Sequence, residues 1–198
     1  LAIGMDEEGG MVSRLDKSRI PHMSIPNAAE LAGDPARAKV AGAEIGAVLA
    51  ELGINVDFAP VADINTNQEN PVIGERAYGT DAQTVAVMAE AFRTGLEENG
   101  VSAVAKHFPG HGDTATDSHD GMAVLDHDLQ RLREVEFVPF QTLIDAGIDW
   151  VMVGHITMPK VTGDNLPASL SKEAIDLLRQ ELGFSGIIVT DAMNMGAI

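Results

Sequence analysis

Apolar residues concentrate in five short runs, separated by longer stretches in which they recur every three or four positions. The runs are Leu1 to Met5, Ile54 to Ala59, Val101 to Ala105, Ile148 to Val153 and Ile187 to Thr190. Runs of this length, bounded by Gly, Pro and Asp, read as strands buried on both faces. The stretches between them carry helix signals. Asp34-Pro35 supplies an N-cap and a first-turn proline, Ala41, Ile45, Val48, Leu49 and Leu52 share one stripe, and Gly53 stops it. Asp81 opens a second helix with Val85, Met88, Ala89, Phe92 and Leu96 on its apolar side, ended by Asn99-Gly100. Asp128 to Ile144 predicts a helix in two pieces, because Pro139 fits only near a helix start. Ser171 caps a last helix whose buried side is Ile175, Leu178 and Leu182 and whose stop is Gly183.

Strand and helix therefore alternate, without a sequence repeat, and the strands form a parallel sheet. A doubly wound sheet and a barrel both satisfy that order. Two features favour the barrel. No G-x-G-x-x-G follows any strand, so the dinucleotide fingerprint is missing. Every strand also ends on polar or ionisable groups: Asp6, Asp63, Lys106-His107, His155 and Asp191. A ring of such groups at the C-terminal ends of successive strands is how a barrel builds a site. The expected fold class is α/β, an incomplete (β/α)₈ TIM-type barrel of about five to six βα units.

The 198 residues are 45% hydrophobic, enough for one sizeable core. Thirty acidic residues against 13 basic give a net charge of −17, which argues against nucleic acid and anionic membranes as partners. No apolar run reaches membrane-spanning length. The absence of cysteine excludes disulfides and thiolate chemistry, and leaves the compartment open between cytoplasm and cell envelope. The chain opens on Leu1 inside a strand pattern and closes a few residues after another strand, so residues 1–198 are expected to be one domain truncated at both ends. Nothing in the pattern speaks to oligomeric state.

The densest chemistry lies in Lys106 to His119, KHFPGHGDTATDSH. Pro109, Gly110 and Gly112 exclude a helix or strand interior, so the segment is predicted to be a loop delivered by the third strand. In Asp117-Ser118-His119 a carboxylate two residues from an imidazole can accept a ring N–H, fix the tautomer and raise the ring pKa, as acid/base work near neutrality needs. A loop-bracing hydrogen bond fits the same spacing. Asp191, where GIIVTD leaves its strand, can attack an electrophilic carbon or stabilise a cation, or else cap a following helix. Asp6 has the same two readings, and Glu7 and Glu8 beside it are expected to be solvated or loop-bonding. Arg14, Arg76 and Lys106 are scarce cations at strand ends, suited to sugar hydroxyls or an anionic ligand. A metal alternative uses His107, His111, Asp113, Asp117 and His119 as N/O ligands, although Pro109 leaves their relative geometry undefined.

These residues resemble those of bacterial β-N-acetylhexosaminidases of glycoside hydrolase family 3. Beside KHFPGHGDTATDSH, the stretches MDEEGGMVSR, GINVDFAPVADI, VIGERAYG, VMVGHITMP, PASLS and GFSGIIVTDAMNMGAI stand in the family's order and cover nearly the whole chain. The resemblance implies a (β/α)₈ catalytic barrel domain, here without its first strand and its last unit or so. It implies Asp191 as nucleophile, His119 with Asp117 as acid/base, and Asp6, Arg14, Arg76, Lys106 and His107 as holding a terminal N-acetylglucosamine. It implies a carbohydrate substrate and no cofactor. A metal-dependent hydrolase or an inactive sugar-binding barrel fragment remain the rival readings. The chain departs from the family pattern in Ala192, where many relatives carry a second carboxylate, in Glu7, where Gln is frequent, and in Met11, where Arg is common.

Overall fold

The computed structural model describes residues 1–15, 24–118 and 121–197. In chain order the elements are β1 (Gly4–Met5), α1 (Ala28–Leu31), α2 (Pro35–Glu51), β2 (Val56–Asp57), α3 (Ala82–Glu97), β3 (Ser102–Phe108), β4 (Ala123–Val124), α4 (Leu129–Glu134), α5 (Phe137–Asp145), β5 (Trp150–Val153), β6 (Ile156–Thr157), α6 (Pro159–Thr162), α7 (Lys172–Asp176) and β7 (Ile187–Thr190). The expected caps form, and Asp128 supplies a further one. The Asp34 and Asp81 carboxylates accept from the N–H groups of Arg37 and Thr84, Asp128 from that of Arg131, and the Ser171 hydroxyl from that of Ala174. Each satisfies an N–H that the helix itself cannot. The break between α4 and α5 leaves Pro139 in the first turn of α5, where its missing N–H is harmless.

Five strands pair in parallel in the order β1-β2-β3-β5-β7, curled as part of an incomplete TIM-type barrel. Strand alternation divides the side chains. Ala103, Ala105, Val151 and Val153 point to the main core beneath the helices. Val56, Val104 and Met152 face the other way, into a small cluster with Phe58, Trp150 and Val189. Lys106 and Asp191 lie two residues beyond Val104 and Val189, so they come off the same face one layer nearer the strands' C-terminal ends. Outside, α2 and α3 pack backbone to backbone. A Cβ on Gly42 would stand 2.1 Å from the Phe92 carbonyl oxygen, and one on Gly95 2.1 Å from that of Lys39.

One expectation needs correction, and two features were not foreseen. The third strand runs through Phe108, so Lys106 and His107 are strand residues and not the start of the loop. The register against β5 shifts between Ala105 and Phe108, and Lys106 bridges Val61 instead. An apolar-run count stops at the first charged side chain, whereas the backbone pairing continues. A second, two-stranded parallel sheet of β4 and β6 was not foreseen; two-residue strands carry no period to read. The last helix also changes winding, with Leu177–Glu181 as a π-helical turn before Gly183.

Candidate active site

The floor of the site is a buried charge network. Glu8 takes two guanidinium hydrogen bonds from Arg76, Nε to Oε2 at 2.9 Å and a terminal nitrogen to Oε1 at 2.8 Å. Lys106 Nζ stands 2.7 Å from Glu8 Oε1 and 2.8 Å from Asp6 Oδ1. Burial alone would raise the Glu8 carboxyl, but Lys106 and Arg76 outweigh it and hold its pKa at about 2. Burial likewise disfavours charge on Lys106, and Glu8 and Asp6 reverse that, keeping the ammonium protonated. Glu8 was expected to be solvated or loop-bonding; it is instead the anion that fixes both cations. Glu7 meets its loop-bonding expectation, accepting from Ser13 Oγ and the backbone N–H groups of Arg14 and Leu15 through Oε2.

Behind the floor stands Asp63, wholly buried. Its Oδ2 is 2.7 Å from His107 Nδ1, and its Oδ1 accepts from the backbone N–H groups of His107 at 3.2 Å and His111 at 2.6 Å. Burial opposes the charge, yet His107, His111 and these donors hold Asp63 below the usual carboxylate range. Its bond to Nδ1 leaves His107 Nε2 on the cavity side, 3.5 Å from Arg76.

Asp191 follows β7, its N–H donating to the Val153 carbonyl, and its Oδ1 accepts from the N–H of Ala192 at 2.7 Å. His155 braces the same turn, with Nε2 3.0 Å from the Ala192 carbonyl and Nδ1 2.7 Å from Ser169 Oγ. Burial raises the Asp191 carboxyl; His107, the Ala192 N–H, His155 and Lys106 outweigh it and keep it ionised. Asp117 sits half-buried in the loop after β3, and its carbonyl accepts from the Gly121 N–H. His119 lies outside the described residues. Its neighbour Ser118 does not: it is buried and shares a cavity wall with Asp191.

Asp6, Arg14, Arg76, Lys106, His107 and Asp191, all singled out in the sequence, line this one cavity of about 240 Å³. The pattern of the Glycosyl hydrolase family 3 N terminal domain matches residues 1–198. The chain belongs to glycosyl hydrolase family 3. Among curated relatives of this family it is 42% identical over 206 residues to the β-hexosaminidase LpqI of Mycobacterium tuberculosis, covering 100% of this chain and 52% of that protein. It superposes on the family 3 β-N-acetylglucosaminidase of Paenibacillus sp. str. FPU-7 with a TM-score of 0.95 and 45% identity, over 100% of this chain and 38% of that one. CbsA from Thermotoga neapolitana, solved with zinc bound, gives a TM-score of 0.92 and 32% identity over 100% of this chain and 42% of that one. The chain spans about half the length of the curated relatives it matches.

Within this family 3 domain His107, His111 and Asp113, three described members of the metal set drawn from the loop, turn to different partners. His107 is turned to Asp63, His111 to Thr114 and Ser118, and Asp113 to Thr66 and His127. Among the described residues no three His, Asp or Glu side chains come together as metal ligands. Among them, too, no helix is long and apolar enough to cross a membrane. Glu8 and Asp63 belong to this buried network but were not singled out as site residues from the sequence. For Asp63 a signal existed, since it was noted as a strand-end carboxylate.

Proposed function

We propose that residues 1–198 form the catalytic barrel domain of a retaining glycoside hydrolase that removes terminal β-linked N-acetylglucosamine from cell-wall muropeptides or chitin-type oligosaccharides. The observation that carries this reading is an ionised carboxylate, Asp191, facing a small polar cavity walled by Asp6, Arg76, Lys106 and His107. Its volume falls below the roughly 300–1,000 Å³ of drug-sized ligand sites, the scale of one sugar ring. Asp6, with its remaining lone pairs, the Arg14 and Lys106 donors, and the cavity-side Nε2 of His107 as an acceptor present partners for ring hydroxyls. The relatives named β-hexosaminidase and β-N-acetylglucosaminidase support the same class.

In this mechanism Asp191 attacks the anomeric carbon while protonated His119 gives its proton to the leaving oxygen, forming a glycosyl-enzyme ester. Neutral His119 then takes a proton from water, which attacks the anomeric carbon and releases the sugar with its β configuration retained. Asp117 orients the imidazole and stabilises its cation, as the aspartate of a serine-hydrolase triad does. An imidazole acid beside a carboxylate nucleophile avoids the like-charge repulsion of the usual two-carboxyl pair.

The test is hydrolysis of an aryl β-N-acetylglucosaminide by the full-length protein, with the first-formed anomer read by NMR. A β product lost in Asp191→Ala supports the reading; an α product, or turnover unchanged by that substitution, ends it. Activity abolished by a chelator and returned by stoichiometric zinc would instead favour the metal alternative.

A further inference from the structure

The loop after β3 carries the residues read as acid/base in its second half. Its first half is clamped by buried partners. Asn70 Nδ2 donates to the carbonyls of His111 at 2.8 Å and Thr114 at 2.9 Å, and Asp113 accepts from Thr66 Oγ1 at 2.7 Å. A Cβ on Gly112 would meet the Ile64 carbonyl oxygen at 1.9 Å, so the backbone there lies flush against the segment after β2. The second half carries Asp117 and His119. A side-chain tie between the halves is His111 Nε2 to Ser118 Oγ, 3.1 Å, with both residues 2% exposed. The Ser118 carbonyl also accepts from the N–H of Ala197, beyond Asp191, at 3.2 Å.

We assign the direction of this tie from the proton inventory. The single Thr114 hydroxyl proton goes to the His111 carbonyl at 2.9 Å. Thr114 Oγ1 therefore presents a lone pair to His111 Nδ1 at 2.7 Å, and Nδ1 carries the ring hydrogen. Burial first, and then His107, hold the His111 pKa below its ordinary value, so the ring is neutral and Nε2 is an acceptor. The Ser118 hydroxyl donates to it. On the other side, the His111 N–H donates to the same Asp63 carboxylate that holds His107.

We propose that His111 is a positioning residue: by accepting the Ser118 hydroxyl it anchors Asp117 and Ser118, the residues that precede His119 in the chain, so that the sugar-holding His107 and this anchor hang from one carboxylate, Asp63. The proposal rests on the acid/base role given to His119 above. A side chain that merely filled space at position 111 would support the fold and leave the proton transfer alone. One that sets the acid's position affects the step in which a proton reaches the leaving oxygen.

The experiment compares kcat/KM of the full-length protein for aryl β-N-acetylglucosaminides with an activated nitrophenyl leaving group and with an unactivated phenyl one. kcat/KM reports steps up to the first irreversible one, so it isolates leaving-group departure. His111→Leu should lower it about 10- to 100-fold for the poor leaving group and less than about threefold for the activated one. His111→Gln, which keeps a side-chain carbonyl to accept the Ser118 proton, should restore most of the loss. Ser118→Ala should reproduce the split, and the His111→Leu/Ser118→Ala pair should be no worse than His111→Leu. Equal losses on both substrates, or losses that multiply in the pair, overturn the proposal. If His111→Leu fails to fold, Ser118→Ala, a one-atom deletion, decides by the same split. Failure of the acid/base reading looks different: His119→Ala would then show no leaving-group preference, whatever the His111 variants do.

Discussion

Glu8 and Asp57 are both buried carboxyls that feel the Lys106 charge, and they end at opposite extremes. Glu8, at the mouth of the barrel, is held at about 2 against an ordinary 4.5; Asp57, within β2, is pushed well above its ordinary 3.8. Burial pushes both upward and is the largest influence on each. The difference lies in what meets the oxygens. Glu8 receives an ammonium and two guanidinium N–H groups at hydrogen-bond distance. Among the described residues, Asp57 Oδ1 receives one backbone N–H, from Glu7, and Oδ2 is buried without a hydrogen-bond partner. Asp63 confirms the rule from a third position: equally buried, it takes two backbone N–H groups and an imidazole, and its pKa falls. Donor count and adjacent cations, not depth, decide which carboxyl in this molecule stays charged.

The comparison assigns chemistry to the mouth and packing to the layer behind it, and the largest expected effect tests that division. Asp191→Ala should lower kcat by at least about 10³-fold. Its melting temperature should shift by no more than a few degrees, since the side chain sits at the rim, half-buried, and among the described residues makes a local backbone hydrogen bond through its Oδ1. A large drop in stability with the loss of rate would mean that the mouth is structural. Next comes Lys106→Met. It strips the ammonium from Glu8 and Asp6 while keeping much of the stem volume, leaving buried carboxylates short of a cation. A loss of about 3–5 kcal/mol in denaturant unfolding is expected. Pairing it with Glu8→Gln should recover part of that loss, because the stranded charge is then removed as well.

Much of this architecture was legible because it is local. An Asp or Ser at the start of an apolar stripe and a Gly at its end mark a helix whatever surrounds it, and the caps at Asp34, Asp81 and Ser171 form as read. Strand order followed from alternation. The polar ends of those strands indicated which residues share a cavity. What stayed hidden depends on partners far away in the chain. Glu8 looks like any acidic residue in a glycine-flanked loop until Arg76, 68 positions later, closes on it. The Ser118 tie to His111 is invisible for another reason, since a serine between Asp117 and His119 draws no attention beside two ionisable neighbours. The short β4 and β6 pairing joins segments 33 residues apart through two residues each.

The smallest effect is the sharpest probe of the comparison, because the two carboxyls move stability in opposite directions with pH. Glu8 has a folded pKa below its ordinary value. Its contribution, about 3 kcal/mol, is fully present above pH 4.5 and is lost as pH falls from there toward 2. Asp57 has a folded pKa above its ordinary value. Its contribution is fully present below pH 3.8 and is lost as pH rises toward the folded value. Asp57→Asn keeps the Oδ1 acceptor for the Glu7 N–H and removes the titration. Its stability relative to the parent should therefore climb as pH rises above 4, by at most about 1.4 kcal/mol per pH unit, the limit for one proton. Glu8→Gln should show the mirror image, its deficit shrinking as pH is lowered from 5 toward 2. Unfolding measured in urea at half-unit intervals separates the two slopes. A stability difference for Asp57→Asn that stays flat from pH 4 to 8 would mean that Asp57 is ionised in the fold, and that donor count alone does not govern the buried carboxyls.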